Sequence, residues 1–248
     1  GDCFKILSTL KTNSIDLVIT DPPYSIASSS KLTKQKNNIV TTKQAWGGEF
    51  KDEYSEQQYE KLMLNLAKES FRILKRDGSF ITFFDRGKPY YLSPFYRLLH
   101  FRNMICFVKK NPVPHIRKTN YRSGFELCAW FSKEKYNINF LSQRKMINVF
   151  SGMIGRKVTI HPTEKYEWMI KPLIERHSNR GDVILDPFIG GGTTMKVAQD
   201  LGRSCIGIEI VPDFCEMTKK RCFGKQFLDR EVEYEFEVFK SCLFFFFS

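Results

Sequence analysis

The sequence lacks the marks of membrane, secreted and disulfide-bonded proteins. Its most apolar stretch, which ends in the phenylalanines at 244–247, is far shorter than the roughly 18 to 20 residues that a membrane helix needs. The first residues do not join a basic segment to an apolar one, so we expect no secretion leader. The seven cysteines are scattered and never form C-x-x-C, which is typical of a reducing compartment and not of a disulfide framework or a zinc site. We therefore predict a cytoplasmic protein that binds no membrane and no metal.

Hydrolase and metalloenzyme motifs are missing as well. The sequence contains no G-x-S-x-G and no H-E-x-x-H. His100, His115 and His177 have no partner at the spacing of a metal site or a catalytic triad. These absences speak against hydrolytic and metal-assisted chemistry.

Acidic residues are scarce in the middle third of the chain. Residues 97–180 hold 17 Lys and Arg against five Asp and Glu, so this third carries the whole formal net charge of +12. Aromatic residues stand between the basic ones, as Tyr121 does between Lys118 and Arg122. Such a segment is typical of a surface that binds a polyanion, because each basic side chain can displace a counterion condensed on a phosphate. An ordinary solvated basic face is the alternative.

The length and composition suit one domain over residues 1–248. A hydrophobic content of 42% is enough to build an ordinary core in a chain of 248 residues. Residues 25–54 are rich in Ser, Thr, Lys and Asn and show no periodicity, which predicts a long flexible loop. Residues 132–160 show little pattern and are expected to be peripheral, whereas 232–238 alternate apolar and acidic side chains and suit an edge strand.

Strands alternate with helices along the chain. Ser55 and Gln58 form a capping box for a helix whose apolar stripe closes near Asp77-Gly78, and a second helix is predicted over 193–201. Short apolar runs predict strands at 15–20, 79–84, 105–108, 125–131, 183–186 and 204–209. This alternation indicates an α/β fold with a doubly wound, mostly parallel sheet.

The first motif with chemical meaning is D-P-P-Y at residues 21–24, directly after the strand at 15–20. Pro22 and Pro23 fix the backbone, so that the Pro22 carbonyl can point outward beside the carboxylate of Asp21. Two fixed acceptors a few ångströms apart suit an amino group, and Tyr24 adds an aromatic face for a planar ring. An ordinary turn is the alternative, because Asp-Pro commonly opens turns.

The second motif is a glycine-rich turn between the strand at 183–186 and the helix at 193–201. Glycines there let a ligand approach the backbone, and Glu209, 19 positions after Gly190, can hold ribose hydroxyls at the end of the next strand. Met195 stands where a dinucleotide fingerprint has its third glycine, so the pattern favours S-adenosylmethionine over NAD. The motif consists of Asp186, Pro187, Phe188, Ile189, Gly190, Gly191, Gly192, Thr193 and Thr194.

The third motif is H-P-T-E-K at residues 161–165, just before a predicted helix that leads into the strand at 183–186. On its own this segment could be a helix cap with ordinary surface charges. Its interpretation therefore depends on the other two motifs.

Together the three motifs resemble the β class of DNA amino-methyltransferases, which act on adenine N6 or cytosine N4 and carry D-P-P-Y ahead of F-x-G-x-G. The resemblance runs from Gly1-Asp2-Cys3 through D-P-P-Y and H-P-T-E-K to the glycine motif and Glu209, in the order of that class. It implies a Rossmann-like, S-adenosylmethionine-dependent methyltransferase fold with permuted motif order. Two positions depart from the family pattern: Tyr166 replaces the usual proline after H-P-T-E-K, and Phe107 stands where tryptophan is common.

The resemblance also implies roles for individual residues. The catalytic residues that hold the target base would be Asp21, Pro22, Pro23 and Tyr24. The cofactor would be contacted by Asp2, Cys3, His161, Thr163, Lys165, Asp186, Phe188, Gly190, Gly192, Thr193, Thr194 and Glu209. DNA would meet a basic target-recognition region within 109–160, through Lys109, Lys110, Arg117, Lys118 and Arg122.

The resemblance thus implies site-specific methyl transfer from S-adenosylmethionine to adenine N6 of a flipped base in double-stranded DNA, in a restriction-modification or an orphan system. Cytosine N4 is the nearest alternative, and Asp in place of Ser before P-P-Y favours adenine. A catalytically silent DNA-binding subunit is the alternative from another class, although the acceptor and the glycines are intact. A homodimer and a cognate restriction endonuclease are further expectations. The mechanism requires the strands that end at Thr20 and Asp186 to be neighbours.

Overall fold

The computed structural model describes residues 1–24, 54–114, 119–155, 158–159, 161 and 163–224, together with the backbone of 32–35 and 38–41. Its strands are β1 (Ile15–Thr20), β2 (Leu32–Gln35), β3 (Asn38–Thr41), β4 (Leu74–Phe83), β5 (His100–Lys109), β6 (Phe125–Ser132), β7 (Val149–Gly152), β8 (Val183–Asp186) and β9 (Ser204–Gly207). Its helices are α1 (Cys3–Leu7), α2 (Glu56–Ile73), α3 (Ser93–Leu98), α4 (Glu167–His177), α5 (Thr193–Asp200) and α6 (Pro212–Phe223), with a 3-10 turn at Pro89–Leu92.

Seven strands form one sheet in the order β7-β5-β6-β4-β1-β8-β9, while β2 and β3 form a separate hairpin. Only β6 runs against its neighbours in this sheet, because β5 and β4 both pair with it antiparallel and every other adjacent pair is parallel. The predicted α/β fold with a mostly parallel sheet is therefore confirmed. The chain builds outward from β1 to both sides, so β1 lies at the point where the strand order reverses.

Each face of the sheet carries its own hydrophobic core, because successive side chains of a strand point to opposite faces. Val18 and Phe80 pack with α1, α2 and α3, whereas Leu17 and Ile81 pack with α4 and α5. Both faces of β1 are thus buried, which explains why its sequence is apolar or β-branched at every position except Asp16. The run predicts the strand correctly.

The expected adjacency of β1 and β8 is confirmed by their register, in which Leu17 pairs with Ile184 and Val18 with Leu185. Asp16 ties the amino ends of three strands together. Its carboxylate accepts from Lys75 Nζ at 2.7 Å and from the Val183 amide at 2.9 Å. The carboxyl ends of β1 and β8, where the D-P-P-Y motif and the glycine motif begin, consequently lie side by side.

The capping box of α2 is present, with the Ser55 amide donating to Gln58 Oε1 at 2.9 Å and the Gln58 amide donating to Ser55 Oγ at 3.2 Å. The sequence pattern predicts that this helix ends near Asp77, but it ends at Ile73. The cause is strand pairing: β4 begins at Leu74, which lies opposite Ile15 of β1.

Other predicted elements differ in part from the structure. Within 25–54, predicted as a loop, the backbone forms the hairpin of β2 and β3, and the predicted peripheral segment 132–160 contributes the edge strand β7. The expected strand at 232–238 and the phenylalanine-rich end lie outside the described residues. Among the residues that are described, no helix is long and apolar enough to cross a membrane.

Candidate active site

The carboxyl ends of β1, β4 and β8 open into one cavity of about 1500 Å³. Its wall includes Asp21 and Tyr24 from the D-P-P-Y motif and Phe188 and Gly190 from the glycine motif. Ligands of open α/β sheets bind beyond the carboxyl ends of the strands, where the strand order reverses. The juxtaposition that methyl transfer requires, with both motifs facing one space, is therefore present.

The D-P-P-Y motif presents an aspartate whose two carboxylate oxygens have different partners. The Tyr24 hydroxyl donates to Asp21 Oδ1, and Lys165 Nζ lies 2.8 Å from Asp21 Oδ2. Burial raises the pKa of Asp21, and the Lys165 ammonium opposes that rise. The motif thus holds a buried acceptor whose charge depends on a neighbouring cation.

Lys165 is shared between Asp21 and Glu126, a residue that the sequence patterns do not single out. Its ammonium lies 2.8 Å from Glu126 Oε2 and 4.7 Å from the ring centroid of Phe83. Lys109 Nζ contacts the other oxygen, Glu126 Oε1, at 2.6 Å. Burial alone would raise the pKa of Glu126, but the two ammonium groups lower it to about 2. Glu126 is therefore anionic and saturated by lysines.

The glycine motif turns sharply between β8 and α5. Gly190 and Gly192 adopt φ values of +50° and +75°, in the left-handed region that other residues avoid. The Gly190 amide donates to Glu209 Oε2 at 2.9 Å, and the amides of Ile210 and Val211 donate to Glu209 Oε1 at 2.9 Å each. Glu209, two residues after the end of β9, therefore fixes the turn while lining the cavity.

Asp186 is a buried carboxylate at the end of β8, and it also lines the cavity. Its oxygens accept from the Phe188 amide at 3.1 Å and from Thr194 Oγ1 at 2.7 Å. Burial raises the pKa of Asp186 from 3.8 to about 7, and the nearby Asp21 and Glu209 add to the rise. No cationic side chain among the described residues lies within ion-pair distance of it.

The H-P-T-E-K segment packs against the glycine motif. A Cβ on Gly190 would lie 2.9 Å from His161 Nε2, and a Cβ on Gly191 would lie 2.9 Å from Thr159 Oγ1. The His161 ring also stands edge-on to Phe214 of α6. The backbone of the turn therefore approaches this segment more closely than any side chain would allow.

Arg221 of α6 is a second residue that the sequence patterns miss. It forms a buried ion pair with Glu164 at 2.6 Å, and Nη1 also donates to the Gly191 carbonyl at 2.9 Å and to Thr193 Oγ1 at 3.0 Å. Glu164 Oε2 in turn accepts from the Thr159 hydroxyl at 2.8 Å. Arg221 thus joins three parts of the site: α6, the glycine motif and the H-P-T-E-K segment.

Most predicted site residues line the cavity, although several are already bound to protein groups. Thr193 Oγ1 donates to the Lys165 carbonyl at 2.9 Å. Asp2 caps α1 by accepting from the Phe4 amide at 2.9 Å. The predicted residues on the cavity wall are Asp2, Cys3, Asp21, Pro22, Pro23, Tyr24, Lys109, His161, Thr163, Lys165, Asp186, Phe188, Gly190, Thr193, Thr194 and Glu209.

Gly192 and two of the predicted basic residues lie away from the cavity wall. Gly192 is not on the cavity wall and packs against Thr218, whereas Gly191 does line the cavity. Lys110 and Arg122 are exposed and lie off the wall, and Arg117 and Lys118 fall outside the described residues. Arg86, which no motif marks, lines the cavity after β4 and donates to Ser123 Oγ at 2.8 Å.

The two departures from the family pattern both fit the structure. Phe107 is fully buried and packs edge-on to the Trp168 ring at a centroid distance of 6.0 Å. Tyr166 lines the cavity and its hydroxyl donates to the Gly155 carbonyl at 3.2 Å. Tyr166 therefore adds an aromatic side chain to the cavity wall, whereas Phe107 belongs to the hydrophobic core behind it.

Comparisons with known proteins agree with the geometry. A family model described as DNA methylase, for N6 and N4 methyltransferases, matches residues 15–220. The chain is 28% identical over 237 residues to the type II methyltransferase M2.DpnII of Streptococcus pneumoniae, covering 89% of this chain and 87% of that protein. It is 31% identical over 243 residues to the type II methyltransferase M.HinfI of Haemophilus influenzae, covering 89% of this chain and 66% of that protein.

Solved structures show the same fold. The complex of M1.HpyAVI with S-adenosylmethionine superposes with a TM-score of 0.63 at 22% identity, covering 90% of this chain and 96% of that one. The cytosine-N4-specific PvuII DNA methyltransferase superposes with a TM-score of 0.68 at 20% identity, covering 94% and 86%. The Rossmann-like methyltransferase fold predicted from the motifs is confirmed.

Proposed function

The chain belongs to the DNA methylase family of N6 and N4 amino-methyltransferases, and from this premise we propose that it methylates adenine N6 in double-stranded DNA. The observation that carries the proposal is the single cavity on which Asp21 and the glycine motif meet. The finer choice of adenine rests on Asp in place of Ser before P-P-Y. The intact acceptor and the intact glycines disfavour a silent DNA-binding subunit.

The residues of the cavity fit S-adenosylmethionine. A volume of about 1500 Å³ exceeds the roughly 300 to 1,000 Å³ of an ordinary small-molecule site, so a cofactor and a base have room together. Asp186 presents a buried carboxylate to the cavity without a cationic side chain among the described residues, which suits a cationic ligand. When bound, the cofactor supplies an electrophilic methyl group carried on a sulfonium sulfur, and transfer of the methyl to the amine leaves that sulfur as a thioether.

The task of the protein is to present the amine. An exocyclic amino group is a weak nucleophile because its lone pair is conjugated into the ring, and it is buried inside the duplex. We propose that the base is flipped out and stacks on Tyr24, whose ring lies beside the acceptor. Asp21 and the Pro22 carbonyl would then accept the two amino hydrogens.

Asp21 stabilises the reaction electrostatically. Positive charge develops on the nitrogen as the carbon–nitrogen bond forms, and a fixed carboxylate stabilises that charge more than it stabilises the neutral amine. The methylated nitrogen then loses one proton to bulk water, which leaves the neutral secondary amine. The Lys165 ammonium at 2.8 Å favours the ionised form of Asp21 that this role requires.

We propose that the target base displaces the Tyr24 hydroxyl from Asp21 Oδ1 when it enters the site. In the structure both oxygens of Asp21 accept hydrogen bonds, one from Tyr24 and one from Lys165. Base entry would replace the tyrosine contact with the amino group while Lys165 keeps its place. Tyr24 therefore has two roles: a partner of Asp21 at rest and a stacking surface during the reaction.

Identification of the modified nucleoside tests the proposal. The protein is incubated with methyl-labelled S-adenosylmethionine and unmethylated bacterial DNA, and the DNA is digested to nucleosides. We expect label in N6-methyldeoxyadenosine and none with Asp21→Ala. Label in N4-methyldeoxycytidine would overturn the base assignment, and bound cofactor without any labelled nucleoside would overturn the activity.

The proposal also includes the DNA substrate, the partners of the protein and its location. The relatives are type II methyltransferases, which supports double-stranded DNA as the substrate and a place in restriction-modification. A cytoplasmic location, a homodimer and a cognate endonuclease stay predictions. The exposed Lys110 and Arg122 are the described members of the predicted DNA-contacting set that lie off the cavity wall.

A further inference from the structure

Four side chains of alternating charge form a continuous chain that ends at the catalytic aspartate. Lys109 Nζ contacts Glu126 Oε1 at 2.6 Å, Glu126 Oε2 contacts Lys165 Nζ at 2.8 Å, and the same Nζ contacts Asp21 Oδ2 at 2.8 Å. The residues come from four separate segments: the end of β5, the start of β6, the H-P-T-E-K segment and the end of β1. No sequence motif groups them.

Building on the proposed function, we propose that Glu126 is a positioning residue for methyl transfer, which holds the Lys165 ammonium against Asp21. Glu126 does not touch the reacting atoms in this arrangement. It acts by fixing where the ammonium stands. Asp21 then faces the target amine as an oriented anion with one oxygen bound to Lys165 and the other available to the base.

Exposure supports the assignment. The side chains of Lys165, Asp21 and Glu126 are 14%, 21% and 25% exposed, so water screens their interactions far less than those of surface ion pairs. A lysine side chain has many rotamers, and an ammonium with a single carboxylate partner can keep that contact in several of them. A second carboxylate at 2.8 Å and the Phe83 ring at 4.7 Å restrict it to one place.

The arrangement also predicts the sign of two pH effects. The groups that act on Asp21 are Lys165, Tyr24 and Glu126, with Asp186 facing it from β8. Burial is the main cause of its raised pKa, Lys165 lowers the pKa and Glu126 raises it. Glu126→Gln removes a charge that raises the pKa of Asp21 slightly, but it also frees the Lys165 ammonium, which lowers that pKa more strongly. If Glu126 acts by holding Lys165, the pKa of Asp21 should therefore rise in Glu126→Gln, as it should when the charge of Lys165 is removed.

The test compares Glu126→Gln with Glu134→Gln. Glu134 follows the other end of β6 and pairs with Arg76 on the surface, which makes it a matched control. In single-turnover methylation of DNA we expect about a tenfold lower rate for Glu126→Gln, below the hundred- to thousandfold loss typical of groups that contact the reacting atoms. Its affinity for S-adenosylmethionine should stay within about twofold, and Glu134→Gln should match the wild type.

The pH profile and a double mutant separate positioning from folding. We expect the acidic limb of the rate profile to move to higher pH in both Glu126→Gln and Lys165→Met, because the Lys165 ammonium no longer stabilises the ionised form of Asp21 in either variant. If Glu126 acts through Lys165, adding Glu126→Gln to Lys165→Met should change the rate less than twofold. Melting temperatures of all variants show whether each remains folded.

Two results would overturn the inference. One is a Glu126→Gln variant whose single-turnover rate is unchanged or whose acidic limb stays in place or moves to lower pH, and the other is a full tenfold further loss in the Lys165→Met background. Both results can be obtained only if the wild-type protein methylates DNA. An inactive wild type would instead contradict the proposed function, so the two failures can be told apart.

Discussion

Replacing Asp186 by Asn should stabilise the protein at pH 8 while weakening its affinity for the cofactor. The carboxylate is 5% exposed, and burial raises its pKa from 3.8 to about 7. An ionised Asp186 at pH 8 is therefore a buried charge without a cationic side chain among the described residues. Asn keeps an acceptor for the Phe188 amide and removes the charge.

The magnitude follows from proton linkage. Between pH 4 and pH 7 the unfolded chain has lost the proton of Asp186 and the folded chain keeps it, so the free energy of unfolding falls as the pH rises. One pKa unit corresponds to about 1.36 kcal/mol, so the rise from 3.8 to about 7 destabilises the folded protein by about 4 kcal/mol above pH 7. About 3 kcal/mol of this loss falls between pH 5 and pH 8, and it should be absent in Asp186→Asn.

Urea unfolding at pH 5 and pH 8 measures this difference. The stability gained by Asp186→Asn over the wild type should grow by about 3 kcal/mol from the lower to the higher pH. Asp200→Asn is the control, because Asp200 is half exposed and pairs with Lys196 on α5. It should show no such growth.

The cofactor should respond in the opposite direction. S-adenosylmethionine is cationic, so it should bind the ionised form of Asp186 better, and calorimetric affinity should rise with pH up to about 7 and then level off. Asp186→Asn should bind weakly at every pH. An equal pH dependence of stability in the wild type and the variant would refute the reasoning, because Asp186 would then be ionised already at pH 5.

Three further predictions concern the glycine motif, the Arg221 clamp and the basic surface. Gly191→Ala should weaken cofactor affinity about tenfold in calorimetry, because its Cβ would lie 2.9 Å from Thr159 Oγ1. Arg221→Met should lower the free energy of unfolding in urea by about 3 to 5 kcal/mol, because it leaves Glu164 buried and unpaired. The double variant Lys110→Ala/Arg122→Ala should reduce the slope of log DNA affinity against log salt concentration by about two.

Each of these has a control on the same chain. Gly155→Ala should leave affinity unchanged, since a Cβ there meets nothing within 4 Å. Arg76→Met breaks an exposed ion pair and should change stability by less than about 1 kcal/mol. Lys11 comes before β1, on the side of the sheet where the amino ends of the parallel strands lie, and it is not on the cavity wall. Lys11→Ala should therefore leave the salt slope unchanged. A variant that behaves like its control would contradict the corresponding role.

The sequence predicts the parts of the site that are local in the chain. Asp21 directly follows β1, and Gly190 comes four residues after the last residue of β8, so each motif is visible in a short window. Their meeting follows from a general rule, because parallel strands at the point of reversal bring their carboxyl ends together. The register of Leu17 with Ile184 confirms that step.

The ion pairs behind the site could not be predicted in the same way. Glu126 and Lys165 are 39 residues apart, and Glu164 and Arg221 are 57 residues apart. Their contacts depend on the register of β6 and on the orientation of α6, neither of which leaves a periodic signal. Lys165 illustrates the consequence, because the family resemblance implies that it contacts the cofactor, whereas the structure pairs it with Asp21.

The most direct test of the account measures cofactor binding and methyl transfer in one variant, Asp21→Ala. Calorimetry should give an affinity for S-adenosylmethionine within about twofold of the wild type, because the glycine motif, Asp186 and Glu209 remain in place. Single-turnover transfer of labelled methyl to DNA should fall by at least about a hundredfold, the loss expected when a group that stabilises developing charge is removed. A variant that binds the cofactor and methylates DNA at the wild-type rate would contradict the central claim that Asp21 presents the amine to the methyl donor across the shared cavity.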